Sequence, residues 1–357
     1  MIDLIRHSIN VIRNGQSENG AYIACPNMAD YAYSWFRHGT FIAYAMDLYG
    51  EHDSAHAFYD WAAGVVIERE SIVMRAVEKT RRGEALVYDD YLHTRYTLDG
   101  KDGVDEWPNF QLDGFGTLLW GMIQHITLNG LPRLSAKWEE AGHLLAHYLG
   151  ALWRLPNYDC WEEFGDQVHP HTLAAIYRGL ADFAAHSDKG EYLKTAQDVH
   201  AFILEEGVND KHFVKYIGMN AVDASLLGLA VPYQVVGLED PLMKCTVEQI
   251  EAKLRVAGGG VHRYSWDTYY GGGEWILLSA WLAWYYVGIG DRDQARALQE
   301  WIASQAAPNG DLPEQTPHNL IDPTSLEPWI HQRGPIATPL LWSHAMLMIV
   351  EHGMRRM

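Results

Sequence analysis

Apolar residues recur at the three-to-four spacing of a helix face in twelve segments of this chain. They lie near residues 2–14, 39–49, 51–69, 114–129, 135–151, 171–186, 188–205, 221–230, 241–256, 274–288, 290–306 and 336–352. The links between them alternate in length. Short ones follow every second helix: Gly50, the LNGLP run around Gly130, Ser187, the VPYQVVGLED stretch and the GIG at 288–290. Long ones fill 15–38, 70–113, 152–170, 206–220, 257–273 and 307–335. A short connection joins antiparallel neighbours, so the pattern predicts an all-α chain of six helix pairs with every long loop at one end. No repeat period, low-complexity run or linker divides the chain, which predicts a single domain over 1–357.

Long loops in a compact domain carry function more often than short ones, and these share a composition. The first holds Tyr31, Tyr33, Trp35 and Arg37; the second holds Asp105, Trp107, Gln111 and Asp113. The third reads YDCWEEFGD from Tyr158 to Asp166, with Asp159, Glu162 and Glu163 beside Trp161, between Pro156 and Pro170. Proline disfavours helix in the residue before it and cannot donate a backbone hydrogen bond, which favours an ordered loop here. An acid-rich helix start with a core Trp fits the same residues. The fourth loop, with Tyr216 and Asn220, is less informative; the fifth contains HRYSWDTYYGGGEW and the sixth contains Glu314 in GDLPEQ.

Composition narrows the partners. Asp plus Glu outnumber Lys plus Arg by 46 to 27, a net charge of −19, which argues against nucleic acid and against an anionic membrane surface. A small neutral ligand suits that balance. The N-terminal MIDLIRHSINVIRNG has no continuous apolar core and no later run is long enough to cross a bilayer, so a cytoplasmic location is expected. Cys25, Cys160 and Cys245 are odd in number and widely spaced, consistent with reduced thiols, and Cys160 reads as a packing residue. Of the 18 histidines only His169 and His171 form a close loop pair, without a ligand pattern around them, so no metal is assigned. Abundant Trp and Tyr suit stacking on sugar rings and serve equally well in helix cores. Oligomeric state is not legible, and a homo-oligomer is compatible with the sequence.

Hydrolysing a glycosidic bond needs one carboxylic acid to protonate the leaving oxygen and one carboxylate acting from the other side of the ring. Glu162 lies against Trp161 and Glu163, and an apolar neighbour and a like charge both favour the protonated form an acid requires. Glu314 follows Pro313 on a different loop and so can approach from the opposite side; an ordinary surface acid fits it too. Arg37 and Arg263 read as planar forks for vicinal hydroxyls, or as ion pairs with Asp30 and Asp267.

These residues together resemble glycoside hydrolase family 15, the glucoamylases and their α-1,6-acting relatives, along nearly the whole chain. YSWFRHG resembles the family's segment that grips the terminal sugar, and QLDG a second segment of the same pocket. YDCWEE is similar to the general-acid segment, HRYSWDTYYGGGEW to a hydroxyl-binding one, and PEQ with downstream PLLWSHAML to the general-base segment. The resemblance implies an (α/α)6 barrel with an exo-acting, inverting mechanism and no cofactor. Glu162 would be the acid and Glu314 the base. Trp35, Arg37, His38, Asp113, Asp159, Trp161, Glu163, Arg263, Tyr269 and Trp275 would bind the substrate. Inversion requires the two carboxyls to stand roughly 6.5–9.5 Å apart, leaving room for a water.

Two departures bear on substrate. His38 occupies the position where the family usually has Asp, which bears on the identity of the terminal sugar. Bacterial relatives often carry an N-terminal β-rich domain, whereas this chain opens on barrel helices, so the pocket edge is expected from its own loops or a partner subunit. The GGGEWILLSAWLAWYY run looks closer to members acting on short α-1,6-linked glucosides such as isomaltose. Hydrolysis of α-1,4 glucosides or trehalose is the alternative within the family. A sugar epimerase or a non-catalytic sugar binder is the alternative on the same barrel.

Overall fold

The computed structural model describes residues 3–187 and 189–357, and the expected helix starts at 2 and 188 lie outside the described residues. Helices alternate between an inner and an outer ring. The inner ones are α2 (Phe36–Leu48), α5 (Asp113–Leu128), α7 (Pro170–Ser187), α10 (Ile276–Ile289) and α13 (Leu341–Met354). The outer ones are α1 (Leu4–Asn14), α3 (His52–Ile67), α6 (Ala136–Leu152), α8 (Gly190–Glu206), α9 (Pro241–Leu254) and α11 (Arg292–Ser304). Burial separates the two sets. In α10 every residue from Ile276 to Ala283 is buried, whereas α11 buries only Ala295, Leu298 and Ile302, one stripe at spacing three and four. A helix apolar all round must be enclosed; one with a single stripe covers the outside.

The ring closes. α2 packs on α5, α5 on α7, α10 on α13, and α13 back on α2, while a 3₁₀ turn at Ala224–Leu229 fills the sixth inner position between α7 and α10. The architecture is an (α/α)6 barrel. Between α5 and α7 the backbones approach so closely that a Cβ on Gly116 would sit 2.5 Å from the Ala175 carbonyl carbon. Glycine at this position permits that approach.

Three segments depart from the sequence pattern. The helix expected at 221–230 is the short 3₁₀ turn: Asp223 caps it by accepting from the Ser225 N–H, and Pro232 follows too soon for an α-helix to continue. The link expected at 70–113 begins with a further helix, α4 (Glu70–Arg81), which buries Val73, Ala76 and Val77 against α6. The link expected at 307–335 carries α12 (Leu326–Arg333), which buries no residue fully.

The links from outer to inner helices are the long ones, and they gather at the N-terminal ends of the inner ring. Two-residue strands pin them there. β1 (Ser34–Trp35) pairs antiparallel with β2 (Arg95–Tyr96), and β5 (Glu274–Trp275) with β6 (Gln315–Thr316). A third pair, β3 (Val208–Asn209) with β4 (His212–Phe213), lies in the link after α8. β1 and β5 lead directly into α2 and α10, so Trp35 and Trp275 each stand at the mouth of an inner helix. Among the described residues no helix is long and apolar enough to cross a membrane.

Candidate active site

A cavity of about 200 Å³ opens at this loop-rich end. Glu162 and Glu314 line it, as do Trp35, Arg37, His38, Trp161, Glu163, Arg263, Tyr269 and Trp275. Asp113 and Asp159, expected to touch substrate, lie one layer behind. Asp113 is fully buried and receives Arg37 Nη1 at 3.1 and 3.0 Å; Asp159 bonds Lys215 at 2.9 Å.

Residues 153–169 form turns, not a helix start. The Glu162 N–H donates to the Asp159 carbonyl and the Asp159 N–H to the Glu163 carbonyl, each at 2.9 Å, closing a tight turn. Within it Glu162 takes φ 68° and Phe164 φ 52°, left-handed conformations rare for residues with a side chain. The Glu162 side chain is 16% exposed. Its Oε1 accepts 2.7 Å from Trp35 Nε1, and Arg37 Nη2 stands 3.8 Å away. Burial raises its pKa, opposed by Arg37 and by the Trp35 and Gln111 hydrogen bonds. The expected contribution of Glu163 is not the cause. That carboxylate faces Arg263 Nη2 at 3.2 Å and Tyr264 instead.

Glu314 is no surface acid, being 3% exposed. Its backbone is fixed from both sides: its N–H donates to the Ala337 carbonyl and its carbonyl accepts from Ile276. Oε1 accepts 3.0 Å from Tyr31, whose hydroxyl also meets Tyr269 at 2.9 Å. Burial lifts its pKa to about 7, with the Tyr31 hydrogen bond and Arg263 opposing and the Glu162 charge adding to the rise. The two carboxyls therefore share one electrostatic environment, and the partial positive ends of the inner helices face it.

Arg37 spans Gln111 at 3.0 Å and Asp113; the alternative partner Asp30 pairs with Arg333 instead. Arg263 does take its ion pair with Asp267, at 2.7 and 2.5 Å, and still reaches the cavity. Trp161 and Trp275 meet at 5.3 Å between ring centres, with the Arg263 guanidinium over both. His38 lies between Trp35 (5.3 Å, 18°) and Trp342 (4.6 Å). Burial and the adjacent Arg37 hold its pKa well below the histidine range, so it is a neutral imidazole. Burial likewise keeps Cys160 a thiol. His169 and His171 donate to the carbonyls of Phe164 and Ser225.

Several buried atoms of cavity-lining residues have no hydrogen-bond partner among the described residues: Arg37 Nε, His38 Nδ1, Glu314 Oε2, and Nε1 of Trp107, Trp275 and Trp342. Buried polar groups ordinarily have partners, and a ring of hydroxyls, each donor and acceptor, matches this mixed set. Sequence reading named Tyr31 only as a loop aromatic and missed Trp329, Arg333 and Trp342, which also line the cavity. The last sits in the PLLWSHAML motif; the other two lie on α12, read as a link.

The family model for glycosyl hydrolases family 15 matches residues 4–311, ending just before Glu314. The isomaltose glucohydrolase of Kribbella flavida is 40% identical over 355 residues, covering 98% of this chain and 91% of that protein. A glutamate-to-alanine variant of a glycosidase in complex with glucose superposes with a TM-score of 0.95 at 39% identity, covering 99% of this chain and 96% of that one. A trehalase of Mycolicibacterium smegmatis is 27% identical over 332 residues, with 82% of this chain matching 48% of it.

Proposed function

The chain belongs to glycosyl hydrolases family 15, and from that premise we propose that it is an exo-acting, inverting α-glucoside hydrolase. It releases β-glucose from the non-reducing end of short oligosaccharides, α-1,6-linked ones such as isomaltose foremost. In this reading residues 1–357 act as one catalytic domain in the cytoplasm. The observation that carries it is the meeting of two carboxyls from separate loops, Glu162 and Glu314, in one cavity that Arg37 and Arg263 also line. The similarity to a protein named isomaltose glucohydrolase supports the linkage.

Glu162 protonates the glycosidic oxygen as the C1–O bond breaks, while Glu314 takes a proton from the water that attacks C1 from the opposite face. The two carboxyls then hold exchanged protonation states and are reset through solvent. Both have raised pKa values, and ionising one opposes ionising the other, so the pair favours the singly protonated state the reaction needs. A carboxylate accepting a hydrogen bond from the attacking water is stabilised as the anion, which assigns the charge to Glu314 in the complex. Arg37 and Arg263 hold hydroxyls of the terminal sugar, and neutral His38 offers a donor or an acceptor to another. Two carboxyls and a water need no cofactor.

Initial rates of glucose release from isomaltose, maltose and trehalose test the reading. Isomaltose is expected to be fastest, and Glu162→Gln and Glu314→Gln are each expected to remove most turnover while the fold persists. Trehalose as the fastest substrate would favour the second reading, suggested by the trehalase similarity. Near-normal activity in both variants would overturn the site assignment.

A further inference from the structure

Lys215 lies in the link between α8 and the 3₁₀ turn, is 3% exposed and does not line the cavity. Its ammonium bonds Asp159 Oδ2 at 2.9 Å and Asp223 Oδ2 at 2.6 Å. Each aspartate in turn grips the segment that carries Glu162. Asp159 Oδ1 accepts the backbone N–H groups of Trp161 at 2.9 Å and Glu163 at 3.0 Å, the residues on either side of Glu162. Asp223 accepts the Trp161 indole N–H on both oxygens, at 3.1 and 3.0 Å. One buried cation therefore ties the turn's backbone and its neighbouring indole to the barrel. The turn needs such a tie, because left-handed residues such as Glu162 and Phe164 persist only where their surroundings over-determine them.

We infer that Lys215 is a positioning residue for the acid step: by clamping Asp159 and Asp223 it fixes the turn that aims the Glu162 carboxyl. The inference rests on the proposed role of Glu162 as general acid. Its competitor is a purely structural role, in which Lys215 only neutralises two buried aspartates. Burial opposes the charge on Lys215, but Asp159 and Asp223 outweigh it, so the cation persists across the working pH range.

A substrate that needs no acid separates the two roles. In α-glucosyl fluoride the C1–F bond breaks with fluoride leaving as the anion, taking no proton from Glu162, while Glu314 still deprotonates the attacking water. In Lys215→Met, kcat for isomaltose is expected to fall about 10²-fold, the scale of a small misplacement at the reacting atoms, with KM nearly unchanged. With the fluoride, kcat is expected to stay within about threefold of the parent, since binding and base are intact. Lys215→Met also strands two buried aspartates and can fail to fold. Asp159→Ala removes the clamp while leaving Lys215 paired with Asp223, so the local charge stays balanced; it is expected to fold and show the same selective loss. Equal losses on both substrates in these variants would overturn the inference. Glu162→Gln serves as the reference. If it is not itself selective for isomaltose, the acid assignment fails; if it is selective and the clamp variants are not, only the role of Lys215 fails.

Discussion

The Tyr31 hydroxyl donates a 3.0 Å hydrogen bond to Glu314 Oε1, joining residues 283 positions apart. It is one of the few contacts that pull the pKa of this carboxyl down against its burial. Tyr31→Phe is expected to raise that pKa above its value of about 7. A base must be ionised, so the acid arm of the kcat/KM profile falls about tenfold for each pH unit that the pKa rises. The alkaline arm, which depends on the acid, is expected to keep its position. A pH–rate series on parent and variant reads both arms.

Trp35→Phe is expected to shift the other arm. Trp35 Nε1 donates 2.7 Å to Glu162 Oε1 and favours its ionised form. Removing the donor raises the Glu162 pKa, so the acid stays protonated to higher pH. The alkaline arm is expected to move to higher pH and gain activity relative to the acid arm, whereas in Tyr31→Phe the acid arm moves and the alkaline arm stays. An unchanged ratio of the two arms would contradict the electrostatic role of this contact.

Glu314 also couples pH to stability. Its folded pKa of about 7 lies above the ordinary value of 4.5, so the fold binds this proton more tightly than the unfolded chain. The resulting contribution is complete below pH 4.5 and is lost as pH rises through about 7. For a side chain this buried the full difference is about 3 kcal/mol. Glu314→Gln is therefore expected to exceed the parent in unfolding free energy at about pH 8 and to match it in mild acid, as denaturant titrations at the two pH values would register.

His38 lies between two indoles, its Nδ1 without a partner among the described residues, which suits a hydroxyl of the terminal sugar. His38→Ala is expected to raise KM for isomaltose about 10- to 100-fold while changing kcat much less, the pattern of a contact kept from ground state to transition state. Since the imidazole is neutral, no limb of the parent profile is expected to belong to it.

Much of the site was legible because its residues sit on long loops in a helical chain, and loop position is readable from where helical periodicity stops. Glu162, Arg37, Arg263 and the indoles at the helix mouths fall in this class. What escaped depends on three-dimensional pairing. Nothing near Tyr31 announces Glu314, and Lys215 is one of two lysines in the least informative loop. Asp113 and Asp159 have the chemistry to touch a sugar, yet buried cations claim them first. The fold shows the same division. The alternation of short and long links gives the ring, whereas α4 and α12 lie inside links and the 3₁₀ turn at Ala224–Leu229 is shortened by a proline just beyond it. Periodicity reports an apolar face; it does not report how many turns of helix the local backbone permits.

The central claim is that Glu162 and Glu314 act from opposite faces of one sugar with a water between them. Proton NMR of the anomeric region during the first minutes of isomaltose hydrolysis tests it most directly. β-Glucose is expected to appear first, with α-glucose following only as the sugar mutarotates. Early α-glucose would mean that the configuration is retained and that the acid–base assignment of the two carboxyls is wrong.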